Sequence, residues 1–124
     1  MYQRIIVGTD GSKTAARAVE RAVQLAGTAG ASLTIMTAGS GSKSEHVVAA
    51  AKALHATSGV EIDTLVVDDD PVSALIGTAE RGGYDLVVVG NKGMTGVTRF
   101  LKIGAVPNKL SHNLPTSLLV VRTT

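Results

Sequence analysis

Gly90-Asn91-Lys92-Gly93 stands directly after the apolar run Asp85-Leu86-Val87-Val88-Val89. A short, solid apolar run reads as a strand buried on both faces, the pattern of a parallel sheet. Glycines straight after such a strand let backbone N–H groups come close to a bound anion. The chain continues through Met94-Thr95-Gly96-Val97-Thr98-Arg99 toward a helix predicted to begin near Leu101. Strand, glycine loop and helix N-terminus together can form a phosphate cradle. An ordinary tight strand-to-helix turn is the other reading of the same residues. Lys92, Arg99 and Lys102 bracket the loop and can pair with phosphate, Lys92 from inside it. Surface charge at a helix start is the alternative for each.

Asp10-Gly11-Ser12 closes the first apolar run in the same manner. Asp10 has three readings: a ligand contact, a helix cap, or a phosphoacceptor. A phosphoacceptor domain would need a further acidic pair near the first strand and a lysine after the fifth, and neither is present. Gly39-Ser40-Gly41-Ser42-Lys43-Ser44 hints at a P-loop, but Ser42 stands where glycine must precede the lysine. It reads instead as a flexible loop. Asp68-Asp69-Asp70 reads as a solvated turn in which Asp70 caps a helix, with a divalent-cation site as the alternative. His46, His55 and His112 show neither metal spacing nor a nucleophile partner, and no serine–histidine–acid arrangement can be assembled. No catalytic residue and no metal site is expected.

These residues need elements to hold them. Arg4 to Thr9 reads as a first buried strand. Ser12 or Asp10 can cap the helix that follows. In it Ala15, Ala18, Val19, Ala22, Val23 and Ala26 form one apolar stripe, with Arg17, Glu20, Arg21 and Gln24 opposite. Ser32 to Ala38 is a second strand, and a second helix is predicted from about Glu45 to Ser58 with Val47, Ala51 and Leu54 inward. Val60 to Val67 alternates, as an edge strand does. Asp70-Pro71 is a strong helix start, and that third helix carries Val72, Leu75, Ile76 and Ala79 inward before Gly82-Gly83 ends it. Strand four is Leu86 to Val89, helix four about Leu101 to His112, and strand five Ser117 to Arg122.

Strands alternating with helices imply a parallel sheet with helices on both faces. Ligands bind outside the carboxyl ends of such strands, where strand order reverses. If the first and fourth strands are neighbours at that reversal, Asp10-Gly11-Ser12 and Gly90-Asn91-Lys92-Gly93 converge on one crevice.

The composition narrows the partners. A chain of 124 residues is one domain, and 44% hydrophobic with 18% charged residues is the balance of a globule, not of a disordered chain. Tyr2, Tyr84 and Phe100 are the whole aromatic set, which argues against base stacking on single-stranded nucleic acid. A net charge of +2 with no basic block implies no polyanionic partner. The absence of cysteine rules out a thiolate site and suits a reducing compartment. No apolar stretch approaches a membrane span, and the opening run is too short for a signal peptide. A cytoplasmic setting is expected.

The chain resembles the universal stress protein family, in its small single-domain form, over nearly its whole length. The resemblance rests on Ile5-Ile6-Val7-Gly8-Thr9-Asp10-Gly11-Ser12 and on Asp85 through Gly96. Val106-Pro107-Asn108-Lys109-Leu110-Ser111-His112 and Pro115-Thr116-Ser117-Leu118-Leu119-Val120-Val121 complete it. It implies an α/β fold with a five-stranded parallel sheet, order 3-2-1-4-5, of the Rossmann-like, adenine nucleotide alpha hydrolase-like kind. Members of the family that bind ATP or a related adenine nucleotide share a pattern: glycine, two residues, glycine, nine residues, glycine and a small hydroxyl residue. Carried over, Asp10 would contact the adenosine part, Ala38 would lie beside the adenine, and Gly90 and Gly93 would open the phosphate loop. Gly104 and Ala105 would stand at its far end.

Two departures are visible. Ten residues, Met94 to Ile103, separate Gly93 from Gly104, and Ala105 replaces the hydroxyl residue, for which Thr95 or Thr98 could substitute. The family's long segment between second strand and second helix is also cut to a few residues.

The implied function is that of a stress-response regulator. Its ligand is ATP, with AMP or cyclic AMP as alternatives and magnesium accompanying ATP, and it is not turned over rapidly. Slow hydrolysis or autophosphorylation on Ser12, Thr95 or Thr98 is the enzymatic alternative. The family also implies a homodimer through the last strand, Leu118, Leu119, Val120 and Val121, whose apolar edge invites pairing. The rival reading is a dimeric interaction module with a degenerate, empty site.

Overall fold

The computed structural model describes residues 1–91 and 116–122. Within them run β1 (Arg4–Gly8), α1 (Lys13–Ala29), β2 (Ser32–Ala38), α2 (Gly41–Leu54), β3 (Ile62–Val67), α3 (Pro71–Gly82), β4 (Leu86–Gly90) and β5 (Ser117–Val121). The five strands form one sheet in the order β3-β2-β1-β4-β5, every neighbouring pair parallel. Helix four, expected over about 101–112, lies outside the described residues.

The solid apolar runs are buried on both faces because each strand divides its side chains between two cores. Ile5, Val7, Leu33, Ile35, Leu86 and Val88 join α1 and Val48 of α2 on one face. Ile6, Met36, Val87 and Val89 pack against Ala74, Leu75 and Ala79 of α3 on the other. Strict alternation by residue parity is what the pleat requires. β3 pairs only with β2 among the described strands, and its Asp63, Thr64 and Leu65 are exposed, as befits an edge strand that is only partly covered.

The amino end of the sheet is clamped at its centre. The Asp85 carboxylate accepts the Gln3 and Arg4 N–H groups at 2.8 and 3.1 Å, tying β4 to β1 before either strand begins. Tyr84 adds a second tie. Its hydroxyl shares a 2.8 Å hydrogen bond with Thr34 Oγ1, and the Arg4 guanidinium lies 4.6 Å from its ring centroid. The Arg4 Nε–H also donates to the Gly82 carbonyl at 3.0 Å. The β1–β4 pair, where the strand order reverses, is thereby held in register from below.

Helix ends follow the local chemistry. Ser12 caps α1, its Oγ accepting the Ala15 N–H at 3.1 Å, so of the two capping candidates serine takes the role. Gly30 and Gly83 close α1 and α3 in the left-handed conformation that favours glycine. Asp70 caps α3, accepting the Ser73 N–H at 3.1 Å, with Pro71 in the first turn. These hydrogen bonds to Ser73 hold the Asp70 carboxyl below its ordinary value. A lowered carboxylate stabilises the fold above its unfolded pKa and loses that contribution as pH falls through the folded one. Asp70→Ala should therefore lower the melting temperature at neutral pH. The gap from the parent should narrow as pH falls through the lowered pKa of the parent carboxylate and it becomes protonated; melts across about pH 2–7 check it.

Three sequence expectations are corrected. α2 begins at Gly41, not near Glu45, so Gly41–Ser44 form its first turn and only Gly39-Ser40 connect it to β2; nothing in Ser42-Lys43-Ser44 opposes a helix. Its most buried residue is Val48, 1% exposed; of the expected inward residues Ala51 packs on the core and Val47 is half-buried against Gly11, whereas Leu54 is 76% exposed. Leu54 is the last residue of the helix, where the chain turns away at His55, so it escapes the core that Val48 and Ala51 reach. On α3 the buried side is Ala74, Leu75, Thr78 and Ala79, with Val72 and Ile76 only partly covered. Small residues let this helix sit close to the sheet.

Candidate functional site

Register alone brings the candidate residues to one level. β1 and β2 pair through Gly8↔Met36, so two steps further Asp10 comes level with Ala38. β1 and β4 pair through Val7↔Val88, so Thr9 comes level with Gly90. Asp10, Ala38 and Gly90 thus stand at the carboxyl ends of three adjacent strands, β4 lying on the far side of β1 from β2. The β1–β4 pair is the reversal point, the place at which sheets of this kind bind their ligands.

The β1–α1 loop is tightly built. Thr9, 2% exposed, donates its N–H to the Met36 carbonyl at 2.9 Å and takes the Gly11 N–H on its hydroxyl at 3.1 Å. The exposed Asp10 carboxylate accepts the Ser12 N–H at 2.9 Å. Gly11 has φ of 83°, and a Cβ there would meet Val47 Cγ2 at 3.1 Å, so the loop rests directly on α2. This shape presents Asp10 outward. A carboxylate fixed by one backbone N–H keeps its other oxygen for a hydroxyl donor such as a ribose.

Next door, Gly39 donates its N–H to the Val67 carbonyl at 2.8 Å, continuing the β2–β3 ladder past Ala38. Asp68-Asp69-Asp70 follows β3 as a capped turn, the Asp70 N–H bound to Asp69 Oδ1 at 2.8 Å. Among the described residues no group of three histidines, cysteines or carboxylates could hold a metal ion. At the other flank the buried Gly90 pairs with Val121, and the Asn91 N–H donates to the Val121 carbonyl at 3.0 Å. Lys92, Gly93, Gly104 and Ala105 lie outside the described residues, as do Thr95, Thr98, Arg99, Lys102 and His112. His46 lies on α2 and His55 is the cap that follows its last residue.

Two contributors escaped the sequence reading. Thr9 shapes the loop through its buried hydroxyl; a threonine between an apolar strand and Asp-Gly is the signal that could have marked it. Arg122 stands one residue past the Gly90↔Val121 pair and brings a cation to the rim.

The family model described as "Universal stress protein family" matches residues 1–53 and 38–122. The chain belongs to the universal stress protein family. The two matched stretches overlap over residues 38–53, the end of β2 and α2. Among curated relatives, universal stress protein Rv1636 of Mycobacterium tuberculosis is 31% identical over 145 aligned positions, which cover 99% of this chain and 98% of the relative. A solved universal stress protein in complex with cAMP is 35% identical, with a TM-score of 0.80 and coverage of 99% of this chain and 98% of that one. A universal stress protein from Archaeoglobus fulgidus in complex with dAMP shares the fold at a TM-score of 0.70 and 15% identity, covering 98% of each chain. Against these universal stress proteins the five-stranded 3-2-1-4-5 sheet is the common frame.

Proposed function

We propose that this chain binds an adenine nucleotide as a regulatory ligand in the crevice above the β1–β4 pair. The observation that carries this reading is that Asp10, Ala38 and Gly90 stand within one residue of the same level at the carboxyl ends of three adjacent strands. The cAMP-bound relative, similar over nearly the full length, supports it. Asp10 contacts the adenosine part and the Ala38 backbone flanks the adenine. Gly90, Lys92 and Gly93, with Gly104 and Ala105 beyond, receive the phosphates. ATP is the principal candidate, with magnesium arriving on its phosphates; AMP and cyclic AMP are its competitors. Occupancy shifts the population of loop or dimer states that a protein partner reads in a stress response, without rapid turnover. The homodimer forms in the cytoplasm through β5, where Val120 is 42% exposed on an apolar strand.

Calorimetric titration with ATP, with and without magnesium, and with cyclic AMP tests the reading. Gly93→Val fills the loop with a branched side chain. Micromolar binding to the parent that is lost in Gly93→Val supports the site. No heat with any nucleotide, in protein shown to carry none through purification, overturns it in favour of a dimeric adaptor with an empty site. The lengthened Gly93–Gly104 interval and Ala105 are what favour that second reading.

A further inference from the structure

β3 is the sheet edge opposite β5, and among the described strands it pairs only with β2. Its two sides are used unequally. Leu33 donates its N–H to the Glu61 carbonyl at 2.9 Å, and Gly39 donates to the Val67 carbonyl at 2.8 Å. With the register running from Leu33↔Ile62 to Ala38↔Val67, the odd-numbered residues of β3 serve β2. Ile62, Thr64 and Val66 therefore turn their N–H and C=O groups outward, in the row that a further strand would pair with.

The same residues border a groove of about 460 Å³. Ala49 and Ala53 of α2, with Ala56 just beyond the helix, form one side; Val60, Ile62 and Thr64 form the other. Lys52 and His55 complete the lining. On the opposite face of the pleat Asp63 and Leu65 are exposed. Charge is concentrated along this edge. Glu61, Asp63, Asp68, Asp69 and Asp70, five of the chain's ten acidic residues, lie on β3 or within three residues of its ends, and all are exposed. No lysine or arginine stands between Lys52 and Arg81.

Each feature selects one property of an occupant. The outward N–H and C=O groups select an extended backbone. The alanine-lined groove selects aliphatic side chains at alternate positions, and the carboxylates select cations. Two β3 edges brought together would set carboxylate against carboxylate, which disfavours the same edge of a second copy.

We propose that β3 accepts an added strand from a protein partner, an extended segment in which aliphatic residues alternate with lysine or arginine. Main-chain hydrogen bonds to Ile62, Thr64 and Val66 hold it, its aliphatic side chains enter the groove, and its basic side chains lie on the face of Asp63. β2 separates this edge from the β1–β4 pair. The proposal does not rest on nucleotide binding, and its test uses nucleotide-free protein.

The test is an amide NMR titration of the full chain with an end-capped peptide of about nine residues alternating valine and lysine, long enough to span β3. Fluorescence anisotropy gives the affinities. Expected are saturable shifts centred on Ala53, Ile62, Thr64 and Val66. The lysine peptide should bind at least about tenfold more tightly than its glutamate counterpart and should weaken severalfold as salt is raised. Successive N–H groups of a strand point to opposite sides. Methylating the valine nitrogens or the lysine nitrogens should thus abolish binding in one series and spare it in the other. Thr64→Pro removes an outward N–H without touching the β2 ladder, so it should melt within about two degrees of the parent and lose the peptide. Ala53→Trp, at an exposed position, should close the groove with the same result. Asp63→Lys should weaken the lysine peptide about fivefold and strengthen the glutamate peptide by a similar factor. Equal affinity for the two peptides, binding that survives in folded Thr64→Pro or Ala53→Trp, or indifference to nitrogen methylation each overturn the proposal. The absence of saturable shifts overturns it as well and leaves the carboxylates as a guard against strand pairing. Shifts along β3 that follow protein concentration without peptide also overturn it, and assign the edge to a second copy of the chain.

Discussion

Asp10→Ala is expected to weaken adenine-nucleotide binding about ten- to a hundredfold while leaving the melting temperature within about two degrees of the parent. The loss follows from removing one charge-assisted hydrogen bond to the ligand, worth ~1.5–3 kcal/mol. The stability is spared for a structural reason. Asp10 is exposed, and its carboxylate serves the Ser12 N–H, whereas the α1 cap is Ser12 itself, which remains. Thr9 still holds the Gly11 N–H, so the loop keeps its shape. Parallel calorimetry and melting of the parent and Asp10→Ala decide it. Unchanged affinity would show that the carboxylate makes no contact with the ligand. A large fall in melting temperature would assign the lost binding to loop collapse instead.

Ile35→Ala should be the most damaging simple truncation, at about 4 kcal/mol. Ile35 is fully buried on β2, between β1 and β3, in the core beneath α1 and α2. A strand paired on both sides cannot move to fill the void, so the cavity adds to the lost transfer energy. For a domain of this size the fall in melting temperature should exceed about 10 °C. Leu54→Ala supplies the contrast. The sequence stripe counts Leu54 as core, but its 76% exposure predicts a change under about 0.5 kcal/mol. Urea unfolding of the two variants separates the readings: comparable losses would mean that α2 packs as its sequence stripe suggests.

That contrast shows where sequence reading stops. The stripe of α1 was legible because Ala15, Ala18, Val19, Ala22, Val23 and Ala26 keep helical spacing between a serine cap and a glycine stop, and all six are buried. α2 has no such definition. Its six alanines and valines are bunched within residues 47–53 and so fall on several faces, its cap Ser40 makes no side-chain bond, and its start lies four residues before the expected one. With weak periodicity the facing side is decided by what the helix meets, here the Gly11 loop and β3, and not by its own pattern. α3 falls between. Asp70-Pro71 fixed its beginning, but Ala74 and Thr78 took inward places that hydrophobicity assigned to Val72 and Ile76.

The sequence by itself determined the class and order of the elements, the parallel sheet and the family, because strand burial, capping and glycine stops are local properties written in short stretches. It also marked Asp10 and Gly90 as the residues to watch. Only the tertiary structure decided that they stand beside Ala38 at the carboxyl ends of three adjacent strands, since that depends on which strands pair and in what register, a choice set by residues far apart in the chain. The Asp85 carboxylate on Gln3 and Arg4, and the Tyr84 hydroxyl on Thr34, span 82, 81 and 50 positions.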